Sequence, residues 1–339
     1  MRKKISKNIK NIALILTVSL LIGGCSSTVQ NEESFMPEER KLVIYTSHKA
    51  NIYEPIIKEF EERSGIWVKV VSGGTNEILS KVANGEEDDR PDIMFGGGVD
   101  SLEVYKDCFE PYETAQAKHL DSTYASGENC YTVFSKLPIV FIYNEKLVIQ
   151  AGKPRTWEEL LSSSWKGKIA FADPNQSGSS YTALVTLIQA TKDKYTDEEV
   201  IKKFIYNLDG DIFDSSGDII DAVASGKKLI GVTLEETALK QVDKKPDMGI
   251  IYPQDGTSMV PDGCAIFKDA PHKENAELFM EFIVGDDVQH LLEDELYRKS
   301  VRTDFYNRND IREIEYDIDY AIKNREEILS SWSSGTGGQ

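Results

Sequence analysis

The chain has 339 residues, 28% of them charged and 40% hydrophobic, and a formal net charge of −18. The composition is that of a globular rather than a disordered protein. Acidity of this size excludes nucleic acid and anionic membrane surfaces as partners, because both repel it. It places no limit on a small ligand, whose site can be locally neutral.

Arg2, Lys3, Lys4, Lys7 and Lys10 precede an apolar run at 12–22, followed by Gly23-Gly24-Cys25 and a polar stretch to Glu39. A basic start, a short apolar run and small residues before a cleavage point form an export signal. The run is about half the roughly 20 residues a membrane-spanning helix needs. Ile22-Gly23-Gly24-Cys25 resembles a lipobox, the motif at which bacterial lipoproteins are cut and lipidated on the cysteine, so the mature chain is expected to start at Cys25. Removing 1–24 takes away five cations and no anion, moving the formal charge from −18 to −23. Residues 25–40 read as a tether between lipid and body. The remaining length exceeds what one core usually spans, and two lobes are expected. Of the other cysteines, Cys108 and Cys130 either pair, as an oxidising compartment permits, or stay free together with Cys264.

From Lys41 the sequence alternates strand and helix. The run 42–46 is short and β-branched, a buried strand. Ile56, Ile57 and Phe60 give 53–63 a helical face, and Gly65 supplies the C-cap. Strands are expected at 67–71 and 91–95, with a helix at 77–83 stopped by Asn84-Gly85. This order predicts a parallel sheet with covered faces. The run 133–143 reads as a strand leaving the first lobe. A second α/β unit then contains a short helix at 157–161 capped by Thr156, strands at 168–172, 228–233 and 248–252, and helices at 180–191, 198–208 and 218–224. A strand at 263–267 rejoins lobe 1, and a helix at 273–283 comes after it. The expected division is 41–142 with 262–300 for lobe 1 and 143–261 for lobe 2. Two crossings between the lobes point to a hinge. Apolar residues from Ile311 to Trp332 fall at helical spacing, so 301–332 is expected to be a C-terminal helical segment and 333–339 a frayed tail.

The chemistry lies in the residues just past each strand. The first three strands end in Ser47-His48-Lys49, Ser72-Gly73-Gly74-Thr75 and Gly96-Gly97-Gly98, and in lobe 2 the strand ending at Ala172 leads through Ser177-Gly178-Ser179-Ser180 into a helix. Open parallel sheets bind ligands beyond the carboxyl ends of their strands. Helix N-termini there offer free N–H groups and positive dipole ends, and glycine lets the backbone come close. One serine suffices for an ordinary N-cap; an anion accounts for the others. The candidate ligand-binding residues are therefore Ser47, His48, Thr75 and Gly97 from lobe 1 with Ser177, Gly178, Ser179 and Ser180 from lobe 2. Ser216, just ahead of the 218–224 helix, is placed with them. Glu235 and Asp262, at a strand end and at the recrossing between lobes, are candidates to accept hydrogen bonds from a ligand's hydroxyls or amine.

Tyr45-Thr46-Ser47, Ala172-Asp173-Pro174 with the 177–180 serines, Val223-Ala224-Ser225-Gly226, Tyr252-Pro253-Gln254-Asp255-Gly256-Thr257, Pro261-Asp262-Gly263 and Leu296-Tyr297-Arg298-Lys299-Ser300-Val301-Arg302 together resemble bacterial extracellular solute-binding proteins. The branch is the one grouping ferric-iron, phosphonate and hexose-phosphate binders. The resemblance implies a type II periplasmic-binding fold: α/β, two lobes with a hinge and a ligand cleft between them. It implies as partner an ABC permease or, in some relatives, a membrane sensor kinase. The iron-binding members hold metal largely through an adjacent pair of tyrosines. This chain has 15 tyrosines and no two are neighbours, and its comparable stretch reads Gly231-Val232-Thr233-Leu234-Glu235-Glu236. The expected function is capture of a small phosphorylated or phosphonate anion for an ABC importer by a monomeric, lipid-anchored protein on the extracytoplasmic face of the cell membrane. No cofactor and no metal are expected. Sensing for a kinase is the second reading and ferric-iron binding a less favoured one. An exported enzyme is disfavoured, since no Gly-x-Ser-x-Gly elbow, HExxH or Walker loop occurs.

Overall fold

The structure is a computed structural model, and it describes residues 36–337 apart from 88, 149–151, 243, 245–246 and 306–310. The expected signal, Cys25 and most of the tether lie outside the described residues. Before Lys41 there is a single 3-10 turn, Glu38–Arg40.

The body opens with β1 (Lys41–Thr46), α1 (Ala50–Ser64), β2 (Trp67–Ser72), α2 (Thr75–Asn84), β3 (Ile93–Gly98) and α3 (Val99–Val104). Gly65 and Gly85 cap α1 and α2 in the left-handed conformation, where only glycine escapes the Cβ penalty. β1 runs parallel to both β2 and β3, as the β-α-β-α-β order predicts. After β4 (Phe109–Glu110), the 13-residue β5 (Thr132–Asn144) carries the chain onward.

Next come α4 (Glu145–Val148), β6 (Ile169–Ala170), α5 (Gly178–Thr191), α6 (Asp197–Leu208), α7 (Ser216–Ala224), β7 (Ile230–Leu234), α8 (Glu235–Val242) and β8 (Met248–Ile251). β6 has two residues rather than five; Ala172 makes only an isolated bridge to Phe213. The chain returns through β9 (Met259–Phe267), α9 (Lys273–Ile283), α10 (Asp286–Asp294) and β10 (Lys299–Ser300), and ends in α11 (Ile318–Lys323) and α12 (Arg325–Thr336).

The sheet order is β2-β1-β3-β9-β5-β7-β6, with β10 and β8 also paired to β5 and β4 to β9. Strand β5 changes partners along its length. Thr132 to Pro138 pair antiparallel with β9, whereas Ile139 to Asn144 pair with β7 and β8. One strand is thus shared by two half-sheets, and the expected hinge falls where its partners change. Leu42, Ile56, Phe60, Phe95 and Phe279 form a core on the β1 side, and Val140, Ile142, Ile219, Val223 and Ala238 one on the β7 side.

Three expectations need correction. Gly96, Gly97 and Gly98 belong to β3, at an irregularity opposite β9, and are not a loop beyond it. The C-terminal segment is two helices after an extended run, not one helix. Ile314 donates its N–H to the Thr257 carbonyl, and Thr257 in turn donates to Arg312. The apolar spacing there reports burial along an extended chain that joins the core. The supposed frayed tail is helical to Thr336, with Gly337 as left-handed cap.

Helix α10 escaped the apolar pattern because a glutamine stands in its buried face: Gln289 is fully buried and its amide bonds the carbonyls of Phe134 and Ile283. Cys108, Cys130 and Cys264 are free thiols, and burial pushes all three above the usual thiol pKa.

Candidate functional site

The carboxyl ends of β1, β2 and β3 bring the lobe 1 candidates together. Thr46 donates its hydroxyl to the Phe95 carbonyl at 2.7 Å and accepts the His48 N–H at 3.1 Å, which fixes the turn carrying Ser47 and His48. The His48 ring packs edge-on against Phe95 and Phe134, 5.1 and 5.9 Å between centroids. It fills the space above Gly96, where a Cβ would lie 2.4 Å from His48 Nε2. Gly96 (φ +94°) is therefore required both by its conformation and by the histidine. Gly97 (φ +126°) lies against Thr75, whose Cγ2 would be 2.9 Å from a Cβ.

Asp262 closes this group. Gly97 donates its N–H to Asp262 Oδ1 at 2.8 Å, and His48 Nε2 stands 3.2 Å from Oδ2 without hydrogen-bond alignment. The Gly97 amide is thus spent within the protein, and His48 faces inward. Both support the backbone of the site from within.

The two expected acidic candidates are already neutralised. Arg298 spreads its guanidinium over three partners, with Nη2 on Asp262, Nη1 on Glu236 at 3.0 Å and Nε on the Ser135 hydroxyl at 3.0 Å. Glu235 lies 3.0 Å from Lys299 and accepts the Tyr252 hydroxyl at 2.5 Å; Glu236 accepts from Lys240 at 2.5 Å. Burial works against ionised Asp262, but His48, Arg298 and the Gly97 N–H outweigh it and hold its pKa below the usual carboxylate value. Sequence reading missed Arg298 and Lys299 as partners because they lie more than 30 residues from the acids. Their adjacency within a segment already singled out was the available signal.

In lobe 2, Ser177 caps α5. Its Oγ accepts from the Ser180 N–H at 3.3 Å and hydroxyl at 3.1 Å, and lies 3.1 Å from Ser179 Oγ. The first-turn amides of Gly178 and Ser179 have no hydrogen-bond partner among the described residues. No acid occupies this turn, and the space beside Gly178 is open. Hydroxyls and two open N–H groups at a positive dipole end form an anion receptor in chemical type. Ser216 is the first residue of α7, which Ser215 caps.

One residue from the C-terminal segment touches the segments carrying both groups. Arg325 Nη1 bonds Asp100 Oδ2 at 2.5 Å, in the first turn of α3 just beyond the glycines. Its guanidinium also lies 4.3 Å from the ring centroid of Tyr181, the residue after Ser180.

A profile of bacterial extracellular solute-binding proteins matches residues 88–328. The chain belongs to that family. It is 24% identical over 240 residues to a probable ABC transporter periplasmic-binding protein of Sinorhizobium fredii, 68% of this chain and 66% of the relative. Its fold matches the periplasmic binding protein AfuA of Actinobacillus pleuropneumoniae, solved with fructose-6-phosphate, at a TM-score of 0.75 and 20% identity, covering 88% and 98% of the two chains. The Campylobacter jejuni ferric binding protein matches at 0.77 and 21%, covering 87% and 99%. A two-component-system protein that mediates signal transduction matches at 0.74 and 26%, covering 85% and 99%. The fold is the two-lobed periplasmic-binding type, and the family is one of extracellular solute binders rather than enzymes.

Proposed function

We propose that this solute-binding protein captures a small phosphorylated or phosphonate anion between its lobes. The observation that carries the reading is the first turn of α5, with two open amides, three serines and no acid in a strongly acidic chain. Amides fixed before the ligand arrives hold a dianion without reorganisation. Thr75 and Ser47, at the ends of β2 and β1, are the lobe 1 contacts in this reading, and Glu235 and Asp262 serve the site through their ion pairs. The solute passes to an ABC permease. Reporting to a sensor kinase is the second reading, favoured by the two-component-system protein among the structural matches. Binding from both lobes closes the hinge, because it favours the closed form by the difference in affinity.

Ferric iron fits less well. The stretch 231–236 has no tyrosine, so the paired phenolate oxygens that a hard ferric ion favours are missing there. A thermal-shift screen of sugar phosphates, phosphoglycerates, phosphonates and ferric citrate decides. A phosphorylated solute at a hundred times its Kd is expected to stabilise the fold by about 2.7 kcal/mol, and the purified protein to be colourless. Stabilisation by ferric citrate alone, with a visible tyrosinate–iron band, would move the protein to the iron branch.

The anchor is part of the same proposal. Cleavage before Cys25 and lipidation of the new N-terminus are expected to place the protein in the membrane fraction, and Cys25→Ala to release it. A variant that fractionates like wild type contradicts the lipoprotein reading.

A further inference from the structure

We propose that Arg325 is a specificity-determining residue of the anion site, and that the ligand's anionic group takes the place of Asp100 as its partner. The inference rests on the phosphorylated-solute reading above and adds to it a cation from the C-terminal segment. Arg325 is the N-terminal residue of α12, directly after the turn at Asn324. Its side chain leaves that helix to reach Asp100 in α3 and the ring of Tyr181 in α5. Asp100, its partner at 2.5 Å, lies two residues beyond the Gly96-Gly97-Gly98 strand end, and Asp100 Oδ1 would sit 2.5 Å from a Cβ on Gly98. Tyr181, on which the guanidinium lies, is one residue past the 177–180 serines. Tyr181 is held in turn by its hydroxyl bond to the Ala321 carbonyl at 2.5 Å. The guanidinium is thus fixed in plane by an aromatic face, with one carboxylate partner and about a quarter of its side-chain surface open.

The chemistry of that arrangement is particular. A planar guanidinium offers five donors and binds carboxylate and phosphate in the same two-pronged geometry. Asp100 supplies one negative charge; a phosphate or phosphonate near the 177–180 turn supplies up to two. The stronger anion wins the arginine, and Asp100, itself 16% exposed, is released toward water. Without ligand, Asp100 keeps the cation neutralised. A solute lacking an anionic group cannot make the exchange, so the pair selects for charge as well as filling space.

The two partners then act in opposite directions, which a merely structural ion pair does not. The test is calorimetric titration of wild type, Arg325→Gln, Arg325→Lys and Asp100→Asn with fructose 6-phosphate, inorganic phosphate and 2-aminoethylphosphonate, and with neutral fructose as control. Arg325→Gln is expected to weaken binding of the anions about ten- to hundredfold, the range for a lost charge-assisted hydrogen bond. Arg325→Lys is expected to recover part of that loss. Asp100→Asn removes the competing carboxylate and is expected to tighten binding about two- to fivefold, the scale of a partly exposed ion pair. Equal weakening by Arg325→Gln and Asp100→Asn would show a strut between segments and overturn the inference. Unchanged affinity in both would also overturn it while leaving the phosphorylated-solute reading in place. If wild type binds none of the three anions, that reading falls and this inference with it. Melting curves of each variant confirm that folded protein is being titrated.

Discussion

Replacing Arg298 with methionine is expected to destabilise the fold by about 3–5 kcal/mol, the range for removing one partner of a buried ion pair. For a chain of this size that is a fall in Tm on the order of 10 °C. The side chain is 4% exposed and serves Asp262, Glu236 and Ser135 at once. Methionine fills much of the volume but leaves Asp262 charged, buried and facing only His48 and the Gly97 N–H. Arg298→Lys keeps the charge without the three-pronged geometry, and its loss is expected to be smaller.

The pH dependence is set by the direction of the Asp262 shift. Its folded pKa lies below the usual carboxylate value, with burial opposing and His48, Arg298 and Gly97 prevailing. A depressed carboxylate contributes stability that is fully present above its unfolded pKa and is lost as pH falls through the lower folded value. In wild type this contribution therefore survives mild acid and disappears only below the normal aspartate range. In Arg298→Met the Coulombic help of the arginine is gone and Asp262 takes up a proton more readily. The gap in stability between the two proteins should narrow as pH is lowered from about 7 toward about 4, the ordinary aspartate range. Urea unfolding at a series of pH values measures it, and a gap independent of pH would contradict the assignment of the loss to Asp262.

The parts of the fold that obey local rules were legible from sequence. Gly65 and Gly85 mark helix ends wherever they are read, and the apolar spacing of Ile56, Ile57 and Phe60 needs no tertiary context. The strand order β1-α1-β2-α2-β3 likewise carries its own parallel sheet. What the sequence concealed depends on long-range partners. The acids Glu235 and Asp262 look free until Arg298 and Lys299 are brought beside them by the short strand β10, which pairs with β5. His48 looks like a solvated loop residue until Gly96 opens the space that buries its ring. Arg325 stands among apolar residues in the 311–332 stretch, and only its contacts with Tyr181 and Asp100 show where its guanidinium goes. The cap of α5 was legible because its signal is local: Ser177 stands at the helix start and accepts the Ser180 N–H, and the further hydroxyls of Ser179 and Ser180 are what the proposed anion site rests on.

Ser179 therefore offers the largest expected effect on binding. Ser179→Ala removes a hydroxyl from the first turn of α5 and is expected to cost about ten- to hundredfold in affinity for a phosphorylated solute. Ser179→Asp is expected to lose more than the alanine variant, because it places a carboxylate at the point the ligand's charge would occupy. The same substitution is favourable for the helix, since an acid in the first turn complements the dipole by about 0.3–1 kcal/mol. Binding and stability should thus part company, which separates a binding role from a capping role.

The most direct measurement is calorimetric titration of fructose 6-phosphate into wild type and Ser179→Asp, with melting temperatures recorded on the same preparations. Binding by wild type, more than about hundredfold weaker binding by the aspartate variant and an undiminished Tm are the predicted results. Wild-type affinity in Ser179→Asp would show that the 177–180 turn only caps its helix, and would contradict an anion site there.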